Sequence, residues 1–256
     1  MTGLEGLLAD PNTIETMAGK SEGLMKGLFG KAFSEVGEMI ADNIRYRRAK
    51  NQVNIFEKAK KFLNDKGVKS EIEMDLKVLA PLLQNCSLEE NEDLQDLWSK
   101  LITNVLSRPT PIVLQQNAIS ILNKISNQEV LLLNSVYNAL GERRIKSLNQ
   151  YYNQWTGREM PIEREKTIDD FRIDIYAFKI KEMASAHNLS ADEMEIQISN
   201  LVALGTLKYE LEVDVLSAYK PYEDDDDVDI ELDVTDYNSI RMTKLGYAFV
   251  ELCTIK

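Results

Sequence analysis

From Phe33 to Leu63 the apolar residues of this chain hold to helical spacing. Phe33, Val36, Ile40 and Ile44 lead into Val53, Phe56, Ala59 and Phe62/Leu63, a recurrence at three and four positions that lines one face of a helix. Lys66 followed by Gly67 is a helix stop. The pattern therefore predicts helix from Lys31 to Lys66 and commits this region to packing helix on helix. What comes next keeps the rule. A second helix is predicted over Leu76–Gln84, with Pro81 as a kink or break. Ser87-Leu88-Glu89-Glu90 reads as a capping box that opens a helix carrying Leu94, Leu97, Trp98, Leu101, Ile102 and Val105. Pro109 and Pro111 end it, and a further helix runs from Val113 to Ile125. Residues 31–126 read as one helical domain with short connections.

The first 30 residues differ. Gly3, Gly6, Gly19, Gly23, Gly27 and Gly30 are half of the chain's 12 glycines. Leu24, Met25, Leu28 and Phe29 form an apolar stripe, yet each glycine inside a helix costs on the order of 1 kcal/mol relative to alanine. A helix softened in this way needs a surface to lie on, and Gly23 and Gly27 permit close approach of another helix. Leu24, Leu28 and Phe29 are accordingly candidate partner-binding residues. Protein packing, a second copy of the chain included, is preferred to a peripheral membrane contact, because Glu22, Glu35 and Glu38 offset Lys26 and Lys31 on the polar face.

From Asn127 the pattern changes. A helix over Glu129–Leu140 is followed by a polar, aromatic stretch at 142–168 that reads as a long loop or insertion. Phe171, Ile173 and Ile175 alternate with charged residues, as in a short strand. A helix through Phe178–Ala186 comes next, then the turn Asn188-Leu189-Ser190, with Ser190 as N-cap and Glu193 at the third helical position. The following helix carries Met194, Ile198, Leu201 and Leu204, with Ile196 off that face, and stops at Gly205. Leu207, Tyr209, Leu211 and Val213 alternate as a strand. An acidic loop spans 223–236, Ile240 and Met242 make a return strand, and Thr243–Cys253 closes as a helix. The fold class is mainly α: an N-terminal helical region, then a C-terminal domain over 127–256 whose element order, with a small β-hairpin, is winged-helix-like.

Charge restricts what such a domain can bind. The 256 residues hold 42 acids against 30 bases, a net charge of −12, which repels phosphate unless a local basic patch intervenes. The helix that would enter a DNA groove offers Asp192, Glu193 and Glu195, so specific DNA binding is not expected. The one strongly basic stretch lies upstream: between Arg45 and Lys69 nine bases face two acids, a net of +7. Arg45, Arg47, Arg48 and Lys50 are candidates for contact with a protein partner, an anionic lipid or a nucleic acid. Their plainer role is to pair with acids at 71–75 and 89–96, where each exposed pair adds about 0–1 kcal/mol.

Catalytic chemistry finds little footing. His187 is the single histidine, at a predicted helix end where the dipole favours a cationic group. A ribonuclease pattern of arginine and histidine with four to six residues between them is absent, since Ile180, Lys181 and Glu182 hold the arginine positions. Cys86 and Cys253 form no zinc or disulfide pattern. Carboxylates from Glu89 to Asp96 suit a helix's first turns. Those of the 223–236 loop lack the glycine and closing glutamate of a calcium loop. No catalytic residue, metal or cofactor is expected. Neither a signal peptide nor a membrane span of roughly 20 apolar residues is legible, which leads to the expectation of a cytoplasmic protein, with a peripheral inner-membrane contact as the variant.

The run Ser87-Leu88-Glu89-Glu90-Asn91-Glu92-Asp93-Leu94-Gln95-Asp96-Leu97-Trp98 resembles the central signature of the abortive-infection alpha family. Asn43-Ile44-Arg45-Tyr46-Arg47-Arg48-Ala49-Lys50-Asn51-Gln52 is similar to that family's basic helix. Thr243-Lys244-Leu245-Gly246-Tyr247-Ala248-Phe249-Val250-Glu251-Leu252-Cys253 resembles its closing helix, and Ile198–Gly205 is loosely similar to its penultimate one. The resemblance covers roughly residues 31–256 and implies a bacterial antiphage protein, with no catalytic residue to carry over. A non-enzymatic protein acting through protein–protein contact is therefore expected. A membrane-surface effector and a winged-helix DNA-binding regulator are the alternatives.

Overall fold

A computed structural model of the chain describes residues 16, 17, 19–28, 46–68, 74–156, 164–219 and 229–255, with the backbone alone at 46, 47, 211–219 and 229–238. The fold is mainly helical, with one small antiparallel sheet near the C-terminus. The chain divides into two compact units: one comprises residues 1–127 and 248–256, the other residues 128–247.

The first unit contains α1 (residues 19–28), α2 (Tyr46–Asp65), α3 (Leu76–Cys86), α4 (Glu92–Ser107) and α5 (Ile112–Leu122). Helix α2 buries Val53, Phe56, Ala59 and Leu63, the face that its spacing selects. It stops where Gly67 takes φ +64, and the Val68 amide reaches back to the Leu63 carbonyl at 3.1 Å, the usual left-handed helix stop. Residues 31–45 of the predicted helix lie outside the described residues.

Helices α2 and α4 are bound through a repeating offset. Gln95 Nε2 donates to Asn51 Oδ1 at 3.3 Å, Ser99 Oγ to the Ile55 carbonyl at 3.0 Å, and Thr103 Oγ1 to the Ala59 carbonyl at 3.4 Å. Partners advance four residues at a time in the same direction on both helices, so the two run parallel. Small residues on this seam let the backbones approach, and Trp98, Leu101, Ile102 and Leu106 fill the remaining core.

Two expectations in this unit need correction. Pro81 neither ends nor breaks α3; the carbonyl it deprives of a donor belongs to exposed Lys77, where solvent can satisfy it. Ser87 does not open α4. It caps the end of α3, its hydroxyl donating to the Gln84 carbonyl at 2.7 Å. The N-cap of α4 is Asn91, whose side chain accepts from the amides of Asp93 and Leu94 at 3.0 and 3.1 Å. Asparagine is as good a cap as serine, and Ser87 is already engaged.

The second unit holds most of α6 (Asn127–Asn153), then β1 (Ala177–Lys179), α7 (Ile180–His187), α8 (Ala191–Ala203), β2 (Leu207–Tyr219) and β3 (Asp229–Met242); α9 (Lys244–Leu252) begins in it. Three expectations change here. Residues 142–153 continue α6 and are not loop: Glu142, Arg143, Arg144 and Lys146 are good helix formers, and polarity alone does not break a helix. The expected strand through Phe171–Ile175 is a pair of short 3-10 turns, with β1 just beyond them. Asp229, Glu231, Asp233 and Asp236, expected in a loop, lie on β3. Residues 220–228 lie outside the described residues.

Arg144 organises this unit. Buried at 4% exposure, it donates from Nε to the Phe171 carbonyl at 2.9 Å and from Nη2 to the Ile168 carbonyl at 2.7 Å. Its Nη1 reaches Tyr247 Oη at 3.2 Å. The 3-10 turns are thereby pinned to α6. The sheet order is β1-β3-β2, all antiparallel. Helix α7 ends on Asn188 in the left-handed region at φ 53, and Ser190 with Glu193 forms the expected capping box for α8.

Candidate functional site

The N-terminal stripe is largely committed within the first unit. Met25 and Leu28 are buried, and Leu24 is half-buried. Ser21 Oγ donates to Gln52 Oε1 at 3.0 Å, and Lys20 pairs with Glu57 at 2.7 Å, which lays α1 against α2. Among the described residues, nothing lies within 4 Å of where a Cβ would stand at glycines 19, 23 and 27. Phe29 lies outside the described residues.

The basic helix is likewise partly absorbed. Arg48, half-buried, donates from Nε to Ser87 Oγ at 3.0 Å. Beside it Asn51 Nδ2 donates to the Ser87 carbonyl and Gln52 Nε2 to the Leu83 carbonyl, both at 3.1 Å. Together with Gln95 these amides make a buried polar network holding α2, α3 and α4 in register. Lys50 is exposed. Arg45 lies outside the described residues, and Arg47 is placed on α2 by its backbone only. The structure brings Arg48 and Lys50 onto one helix, with Lys50 directed to solvent. The expected pairing with the 89–96 acids exists as Lys58 with Asp96, at 3.9 Å.

Candidate nucleophiles are shielded. Cys86 and Cys253 are buried, and burial pushes both thiols well above their ordinary range; Arg48 only partly offsets this at Cys86. His187 sits in the last turn of α7, as read from the sequence. Among the described residues no group of histidine, cysteine and carboxylates could hold a metal, and no helix is long and apolar enough to cross a membrane.

Two further features emerge from the tertiary structure. A pocket of about 380 Å³ in the first unit is lined by Lys66, Asn104, Ser107, Arg108 and Thr254 among others. Helices α2, α4 and α9 all end at it, and Lys66 and Arg108 offset the negative ends of their dipoles. The second feature is α8 itself. Ile196 is 71% exposed, flanked by exposed Asp192, Glu193 and Glu195. Its position off the core face was readable from spacing; its degree of exposure was not. The Ser190 hydroxyl and amide donate to the Glu193 carboxyl and hold it below its ordinary range. An apolar residue in an acidic surround suits a protein surface with complementary charge and repels phosphate.

A family model described as abortive infection alpha matches residues 50–253. No curated protein and no solved structure matches the chain.

Proposed function

This chain belongs to the abortive infection alpha family, which points to a role in abortive infection, and we propose that it is a non-enzymatic antiphage protein acting by contact with a host or phage protein in the bacterial cytoplasm. The observation carrying this reading is Ile196, 71% exposed on an acidic helix. An isoleucine so placed gains from burial, about 1.5–3 kcal/mol for a fully covered side chain, while its carboxylate neighbours select a basic surface. We read the second unit as winged-helix-like, supported by the succession of α6, β1, α7, α8, β2 and β3. In that reading α8 is the docking helix, turned by its charge from nucleic acid to protein. Packing of α1 on its own chain favours this reading over a lipid-bound effector.

The test is phage challenge of bacteria expressing the full chain or Ile196→Asp. The expected result is protection by the natural chain and its loss, at unchanged expression and thermal stability, in the variant. Equal protection by the variant would overturn the docking role of α8, as would tight sequence-specific binding of duplex DNA by the purified protein. A chain that protects against no member of a broad phage panel would overturn the defence reading itself.

A further inference from the structure

Among the described residues, the sheet is three strands wide at one end and two at the other. β1 meets β3 only at Ser239, Ile240 and Arg241, whereas β3 continues back to Asp229 and pairs with β2 as far as Tyr219. Among the described residues, the edge of β3 away from β2 carries no strand over residues 229–238. An open strand edge is a template for another strand, and a two-stranded ribbon alone is marginal in water.

Residue type along this edge says what would pair there. Successive strand residues alternate between faces, so Asp229, Glu231 and Asp233 share one face of β3, and Ile230, Leu232 and Val234 the other. The register extends both faces across β2. Asp214 is opposite Asp233 and Glu212 opposite Thr235, while Val213 and Val215 are opposite Val234 and Leu232. One face thus gathers five acids without a base, including a directly opposed like-charge pair, which is destabilising. A second copy of the chain would bring more acids to this edge. A strand alternating basic and apolar residues would set its bases among the acids and continue the apolar face.

We propose that the free edge of β3, in line with β1, is a β-augmentation site for an extended segment of a partner protein in which lysine or arginine alternates with apolar residues. The proposal rests on the protein-contact reading above and specifies the partner's chemistry. It is tested with fluorescent decapeptides and the full chain, by anisotropy and amide hydrogen exchange. An alternating Lys-Val peptide is expected to bind at least tenfold more tightly than a peptide of equal charge with proline at every second apolar position. It should also bind at least tenfold more tightly than an alternating Glu-Val peptide. Affinity should fall with salt, and β3 amides over 229–238 should gain protection.

D214K/D233K, checked for folding by circular dichroism, should lose at least tenfold in affinity. Glu142→Lys, at an exposed position on α6, should leave binding unchanged. Equal binding of the proline-interrupted peptide, protection confined to β2, the same protection from calcium alone, or no binding at low salt would each overturn the proposal. If the peptide fails while Ile196→Asp still abolishes phage protection, the edge is wrong and the docking reading stands. The reverse pattern has the reverse meaning.

Discussion

Asn104 donates through Nδ2 to the carbonyl of Leu252 at 2.8 Å, a buried bond spanning 148 residues of sequence. The same amide reaches the Thr254 carbonyl, also at 2.8 Å. One side chain near the end of α4 thus ties down the last turn of α9 within the first unit. Asn104→Ala removes both bonds and leaves two carbonyls short of a donor, at about 1–3 kcal/mol for a buried group. Urea unfolding should show a loss in that range, with earlier proteolysis of residues 250–256. A change below about 0.5 kcal/mol, the level of an ordinary surface substitution, would mean that water replaces the amide freely.

Two glycines should respond oppositely to alanine. At Gly246 a Cβ would collide with the backbone of Thr206, which is itself buried and held by its own hydroxyl bond to the Leu201 carbonyl at 2.8 Å. Neither backbone can yield cheaply. Gly246→Ala should destabilise by about 3 kcal/mol or prevent folding, at the upper end of overpacking costs. At Gly141, inside α6, no described residue comes within 4 Å of where a Cβ would stand. Gly141→Ala should stabilise by roughly 0.5–1 kcal/mol, the helix-propensity difference. Thermal melts of the two variants decide the matter, and equal signs would contradict the packing described.

Periodic apolar spacing made most helices legible, because packing enforces it: the core face of α2, the stop at Gly67 and the cap at Ser190 were all readable. What failed depended on partners distant in sequence. Ser87 has the form of an N-cap, but Arg48 and Asn51 claim it from α2. The stretch after Gly141 looked too polar for helix, yet its residues are good helix formers, and Arg144 within it is buried against the carbonyls of Ile168 and Phe171, far along the chain. The length of the hairpin was hidden because acids on one face of β3 read as a solvated loop, when a strand needs apolar residues only on the other. In the candidate site, spacing set Ile196 off the core, while the covering of Leu28 by its own chain required tertiary structure.

Acid sensitivity should track specific carboxyls. The Arg172 guanidinium, 2.6 Å from Asp174, holds that carboxyl well below its ordinary value, at about 2. Hydrogen bonds from Thr167 lower Asp170, and those from Ser190 lower Glu193. A carboxyl depressed in the folded state contributes stability above its unfolded pKa and loses it as pH falls through the folded one. The loss should therefore begin near pH 4 and, for Asp174, run to about pH 2. Carboxyl-detected NMR should place Asp174 near 2 and show Arg172→Gln moving it up toward the ordinary range. An Asp174 midpoint unchanged by that variant would remove Arg172 as the cause.

The two thiols make the burial of the first unit's core measurable. Cys86 and Cys253 are both enclosed, and desolvation raises each thiol above its ordinary value of 9.0. Only the thiolate attacks a disulfide reagent, so the folded chain should react negligibly at neutral pH and the denatured chain should release both equivalents at once. Reaction in native buffer should follow the rate of unfolding rather than reagent concentration. The linkage also has a sign. With the folded value raised, stability is fully present below the unfolded pKa and declines as pH rises beyond it, since unfolding then releases protons that the native state retains. Stability should thus fall above about pH 9, and replacing both cysteines by alanine should flatten that alkaline slope. One equivalent of fast-reacting thiol in native buffer would show that Cys86 or Cys253 is open to solvent, and the packing around it would have to be redrawn.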